Sequence, residues 1–82
     1  MTNQFVVNEI QGSSVTPVTF DVADYHDEKA AERAAKARYH QILSAAYDSN
    51  IPYHGANIIH MVGYDQIMIE GEISRKSQEL AE

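Results

Sequence analysis

Apolar and polar positions alternate along two stretches of this chain, apolar β-formers cluster in two more, and apolar residues recur at helical spacing along a fifth. Residues 5–10 (Phe-Val-Val-Asn-Glu-Ile) are rich in β-formers and predict a first strand. Gly12, Ser13 and Ser14 supply turn chemistry. Val18, Phe20 and Val22 then alternate with Thr19, Asp21 and Ala23, the period of two that marks a strand with one buried face. Pro17 either confines this second strand to an edge or delays its start, because proline offers no ladder donor. The spacing then changes to that of a helix over residues 27–48, which Asp24 or Asp27 can cap and Ser49, Asn50 and Pro52 end. Residues 56–62 and 66–74 predict a second hairpin turning at Gly63-Tyr64-Asp65. In the last strand Ile67, Ile69 and Ile73 are expected on one face, opposite Met68, Glu70 and Glu72.

These elements give an α+β fold, a single ββαββ domain over residues 1–82 with an ordered core of about 4–74 and a polar tail at 75–82. If the strands alternate in direction, the simplest sheet is antiparallel, ordered 2-1-3-4, with the helix on one face. The central strands carry apolar groups on both sides: Phe5 and Val7 against Val6 and Ile10, Ile58 and Val62 against Ile59 and Met61. One helix covers one face, so the other should expose an apolar patch, and a homo-oligomer is expected to shelter it.

The helix divides into three stripes. Ala31, Ala35, Tyr39, Ile42 and Ala46, with Leu43 beside them, should pack on the sheet. Ala30, Ala34, Ala37 and Ala45 form a smooth stripe that either admits a neighbouring helix or serves only helix propensity. Lys29, Arg33, Lys36, His40, Ser44 and Tyr47 make the third, which is either a solvated face, with Glu32 pairing Lys36, or an anion-binding one.

Charge and composition narrow the function classes. Six basic side chains against twelve acidic ones leave a net charge of −6, which argues against general binding of phosphate backbones. The absence of cysteine removes disulfides and thiolate metal sites. No segment has the length and apolarity of a membrane span or the form of a signal peptide, so a cytoplasmic location and no membrane partner are expected. His26, His40, His54 and His60 match no zinc spacing; no metal and no cofactor are expected. His40 stands one turn before Ser44, but nothing resembles a nucleophile turn or a phosphate-cradling glycine loop, so the chain is not expected to be an enzyme.

The best site lies at the end of the helix and in the connection over residues 49–55 (Ser-Asn-Ile-Pro-Tyr-His-Gly). Arg38, Tyr39, His40, Tyr47, Ser49, Tyr53 and His54 are the expected ligand-binding residues: the tyrosines can stack a ring, and the arginine, histidines and serine can hold phosphates or hydroxyls. A plain connection, with proline and glycine for geometry, is the structural alternative.

Arg38-Tyr39-His40-Gln41-Ile42-Leu43, followed by Ala45-Ala46, Ser49, Pro52, His54 and Ala56, with Glu9-Ile10-Gln11 upstream, resembles a group of small uncharacterised proteins encoded by phages and prophages of Gram-positive bacteria. The likeness runs over roughly residues 5–74; Tyr47-Asp48 and the alanine-rich early helix depart from it. It implies a phage-encoded accessory protein in the host cytosol. By analogy of protein type it suggests an oligomeric sponge that sequesters a small anionic nucleotide signal, of the cyclic ADP-ribose or cyclic oligonucleotide kind, to counter host defence. The alternative is a protein–protein interaction module, an inhibitor of a host protein or an accessory of phage assembly, with the acidic balance steering a basic partner.

Overall fold

The computed structural model describes residues 2–80. β1 (Asn3–Gln11) and β2 (Ser14–Asp21) form a hairpin, a short 3-10 turn (Val22–Asp24) leads into α1 (Glu28–Tyr47), β3 (His54–Val62) and β4 (Asp65–Ile73) form a second hairpin, and α2 (Arg75–Leu80) follows. All strand pairs are antiparallel, in the order β2-β1-β3-β4, with α1 across one face. This is the α+β, ββαββ arrangement expected. Residues 81 and 82 of the expected polar tail lie outside the described residues.

Local chemistry sets the boundaries. Both hairpins turn through a glycine in the left-handed region, Gly12 at φ 65° and Gly63 at φ 59°, where a side chain is strained. Pro17 sits inside β2 opposite Asn8, an edge position where a missing donor is tolerated. Val22 and Ala23, expected to continue that strand, instead leave it: the Asp21 carboxylate accepts from the Ala23 amide at 3.0 Å and turns the chain. Asp27 caps α1 by accepting from the Ala30 amide at 2.8 Å, with Glu28 in the first, positive turn. Lys36 and Glu32 pair across one turn at 3.7 Å on the solvated side, which is worth only a few tenths of a kcal/mol.

The core lies between α1 and the two central strands. Ala31, Ala35, Tyr39, Ile42, Leu43 and Ala46 are the buried helix residues, the stripe the spacing predicts. They meet Phe5, Val7, Ala56 and Ile58, and burying side chains as large as Phe5 or Ile58 stabilises by about 1.5–3 kcal/mol each. Alanines at 31 and 35 let the helix backbone come close to the sheet, so the central strands fill the space with their own bulk.

One irregularity overturns an expectation. Ile58 pairs with Glu70 but Ile59 pairs with Met68, so Ile69 is an extra residue in β4. The bulge reverses the alternation from there on. Ile67 shares the helix side with His60, and Glu70 and Glu72 also turn to that side opposite Ile58 and Ala56, while Ile73 goes to the open face opposite Gly55. Ile67, Ile69 and Ile73 therefore do not share a face, because strict alternation fails wherever one strand carries an unpaired residue. No helix among the described residues is long and apolar enough to cross a membrane.

Candidate functional site

α1 packs mainly on β1 and β3 and touches β4 least. The offset leaves an open trough of about 730 Å³ between the C-terminal half of the helix and the edge strand. Helical spacing brings Tyr39, His40, Leu43, Ser44 and Tyr47 to one wall; the bulge brings Glu70 and Glu72, either side of Gly71, to the other.

The trough is acidic and aromatic. The Tyr47 hydroxyl donates to Glu72 Oε1 at 2.7 Å, and the His40 ring meets Tyr39 edge-on with centroids 5.4 Å apart. Tyr39 is only 4% exposed, whereas Tyr47 is 48% exposed. Burial pushes the Tyr39 phenol above the ordinary tyrosine value, and the charges of Glu70 and Glu72 add to the rise. The Tyr47 phenol is raised first by its hydrogen bond to Glu72, which a tyrosinate could not donate.

Both shifts mean that the folded chain holds these protons more tightly than the unfolded chain. Their contribution to stability is therefore full below about pH 10 and is lost as the pH climbs through the raised folded values. Glu72→Gln should bring the Tyr47 ionisation back down while Tyr39, still buried, stays high. A residue-resolved NMR titration checks this; an unchanged Tyr47 midpoint would mean that the hydrogen bond does not set it.

Only part of the expected site gathers here. Tyr39, His40 and Tyr47 line the trough, while Arg38, Ser49, Tyr53 and His54 are outside it. The Arg38 guanidinium donates to Gln41 Oε1 at 3.0 Å on the helix surface. Ser49 Oγ accepts from the Ile51 amide at 3.0 Å and shapes the connection. Tyr53 takes a left-handed backbone, φ 52°, with its carbonyl accepting from the Gly12 amide at 3.4 Å, so the connection is tied to the first hairpin. His54 is 4% exposed, and its Nε2 hydrogen-bonds Glu9 Oε2 at 2.9 Å across to β1.

Both histidines in β3 are hydrogen-bonded within the fold. His60 stacks on Phe5 at 4.2 Å with the rings 11° apart, and its Nε2 hydrogen-bonds Asn3 Oδ1 at 2.8 Å. Among the described residues no group of three or more His, Asp or Glu converges as a metal site. Glu70, Glu72, Leu43 and Ser44 are trough residues that the expected binding set omits. One signal for the two glutamates existed: Gly71 inside a strand is a common mark of a bulge or a close approach. The chain matches no protein-family model, no curated protein and no solved structure.

Proposed function

We propose that this chain is a binding protein, not an enzyme, and that its trough takes a basic segment of a partner protein. The observation that carries this reading is the pair Glu70 and Glu72 turned in beside Tyr39 and Tyr47. Two carboxylates and an exposed phenol ring suit a lysine or arginine head group, held by charge on one side and by the ring face on the other. The trough is open along its length. A small ligand needs most of its surface enclosed, whereas a side chain projecting from a larger partner does not. The net charge of −6 would steer a basic partner toward this chain from a distance.

Between the two readings of the sequence, these carboxylates favour the interaction module over the nucleotide sponge. Phosphates in the trough would face Glu70 and Glu72, and its lining holds neither lysine nor arginine. Under the phage resemblance, the partner is a host protein or a component of phage assembly.

Calorimetric titration separates the readings: a lysine- and arginine-rich peptide, an acidic peptide of equal length, and a panel of cyclic nucleotides. The basic peptide should bind, more weakly as salt rises. Glu70→Gln with Glu72→Gln should weaken it by roughly 5- to 30-fold, from about 0.5–1 kcal/mol per exposed charge. A nucleotide that binds while the basic peptide does not would overturn the proposal.

A further inference from the structure

The face of the sheet opposite α1 is almost free of charge. Paired residues share a face, so the registers place Val6, Ile10, Ile59, Met61, Met68 and Ile73 together on it. Its one charged residue, Asp21, is at a corner and is engaged with the Ala23 amide. In a chain with twelve acidic residues this is a strong segregation: Glu9, Glu70 and Glu72 all sit on the helix side of the same strands. α2 contacts α1, and among the described residues no further helix or strand covers this face.

At the centre of the face stand Asn8 and Asn57, directly paired across β1 and β3, with Asn8 Nδ2 donating to Asn57 Oδ1 at 2.7 Å. The pair leaves an acceptor on Asn8 and a donor on Asn57, and no other hydrogen bond engages either side chain among the described residues. Such a donor–acceptor couple is complementary to a rotated copy of itself.

We propose that a second copy of this chain covers the face, sheet against sheet, in a two-fold dimer whose axis runs beside the Asn8–Asn57 pair. Asn57 of each protomer then donates to Asn8 of its partner, closing a ring of four amides. Stacked sheets lie about 10 Å apart, and two facing asparagine side chains span most of that gap, so the amides meet at hydrogen-bonding distance. Two copies each carrying −6 repel one another elsewhere on their surfaces, and on this face the repulsion is least.

Size and edges agree with this occupant. Four strands about 4.8 Å apart and roughly 30 Å long give a footprint on the order of 550 Å² per copy, so a dimer removes about 1,100 Å² or more, above the threshold for a specific interface. Pairing edge to edge is blunted at both ends of the sheet, by Pro17 in β2 and by the Ile69 bulge in β4. The central amides fix the register of an otherwise greasy contact, as a buried polar residue does in paired helices.

Sedimentation equilibrium of the full chain tests the proposal. A particle of twice the 9.2 kDa chain mass is expected. Met68→Glu places a carboxylate on a residue that is 62% exposed in the single chain, so the fold should survive, and the dimer dissociation constant should rise about 100-fold or more because each copy then buries an unpaired carboxylate in the contact. Val15→Glu, at the opposite edge and 58% exposed, should act in the same direction. Circular dichroism of both variants should match the parent. Ala37→Glu, on the alanine stripe of α1, should leave the dimer intact. The proposal fails if the parent stays at 9.2 kDa up to about 100 µM, well above the Kd of a weak specific interface. It also fails if Ala37→Glu dissociates the dimer while Met68→Glu does not, since the helix stripe would then be the contact. Glu70→Gln with Glu72→Gln lies on the other face and should leave the sedimentation unchanged, so this outcome is independent of the trough.

Discussion

Gly55→Ala is expected to lower the stability of this chain by about 3 kcal/mol, the upper part of the range for forcing extra volume into a packed site. β4 crosses β3 so closely at Gly55 that an added Cβ would run into the carbonyl oxygen of Glu72 and lie 2.7 Å from the Ile73 Cα. Both obstacles are backbone, so no side-chain rotation relieves them. The edge strand must move instead, and the carboxylates of Glu70 and Glu72 move with it. In a domain of this size such a loss lowers the Tm by roughly 12–24 °C. Gly71→Ala is the matched control, because its Cβ would meet side-chain atoms, the Asn57 Cβ at 3.3 Å and the Met68 Sδ at 3.5 Å. The methionine can yield, and the cost should stay near 1 kcal/mol or below. Thermal melts of the two variants decide the matter; equal midpoints would show that β4 is not pressed onto β3 at Gly55.

Phe5→Ala should cost more, about 3–5 kcal/mol, the range for truncating a buried aromatic. Phe5 is fully buried between α1 and the sheet, pairs across strands with Phe20 and His60, and carries the His60 ring stacked on its own at 4.2 Å. Its removal opens a cavity, and the ring that holds His60 against Asn3 is lost as well. A chain of 82 residues has on the order of 4–12 kcal/mol to lose, so the variant should forfeit from about a quarter to all of that margin. Phe5→Leu keeps most of the volume and should stay folded, with a loss under about 1.5 kcal/mol. Urea denaturation with linear extrapolation measures both. A Phe5→Ala chain as stable as Phe5→Leu would place the centre of the core elsewhere.

The parts of the fold that were legible in the sequence are those governed by local periodicity. Residues 27–48 marked the helix to within a residue or two of α1, and Ala31, Ala35, Tyr39, Ile42, Leu43 and Ala46 were identified as its buried side. Short hairpin turns at Gly12 and Gly63 left few ways to join four strands, so the order β2-β1-β3-β4 followed. The helical wall of the trough was legible for the same reason: Tyr39, His40 and Tyr47 lie within nine residues of one helix.

Polar and aromatic residues in the 49–55 connection read alike from sequence whether they bind a ligand or hold the chain. Ser49 accepts from the Ile51 amide, and His54 turns inward to Glu9, a partner 45 positions away in sequence. The Glu-Ile-Gln and Ser-x-x-Pro-x-His elements of the resemblance thus meet across the sheet, Glu9 against His54, and here they do structural work.

What the sequence determined by itself was the four strands and α1, their order and the buried side of the helix, because patterns of two and of 3.6 residues act over a few neighbours. What only the tertiary structure decided was where the second half of β4 points. Whether a strand holds a bulge depends on how its partner's side chains fit against the helix and on the twist of the whole sheet, neither of which is encoded within four residues. One unpaired isoleucine at position 69 put Glu70 and Glu72 beside Tyr39 and Tyr47 and left the opposite face without carboxylates along β4, so the acidic trough and the uncharged face have a common origin.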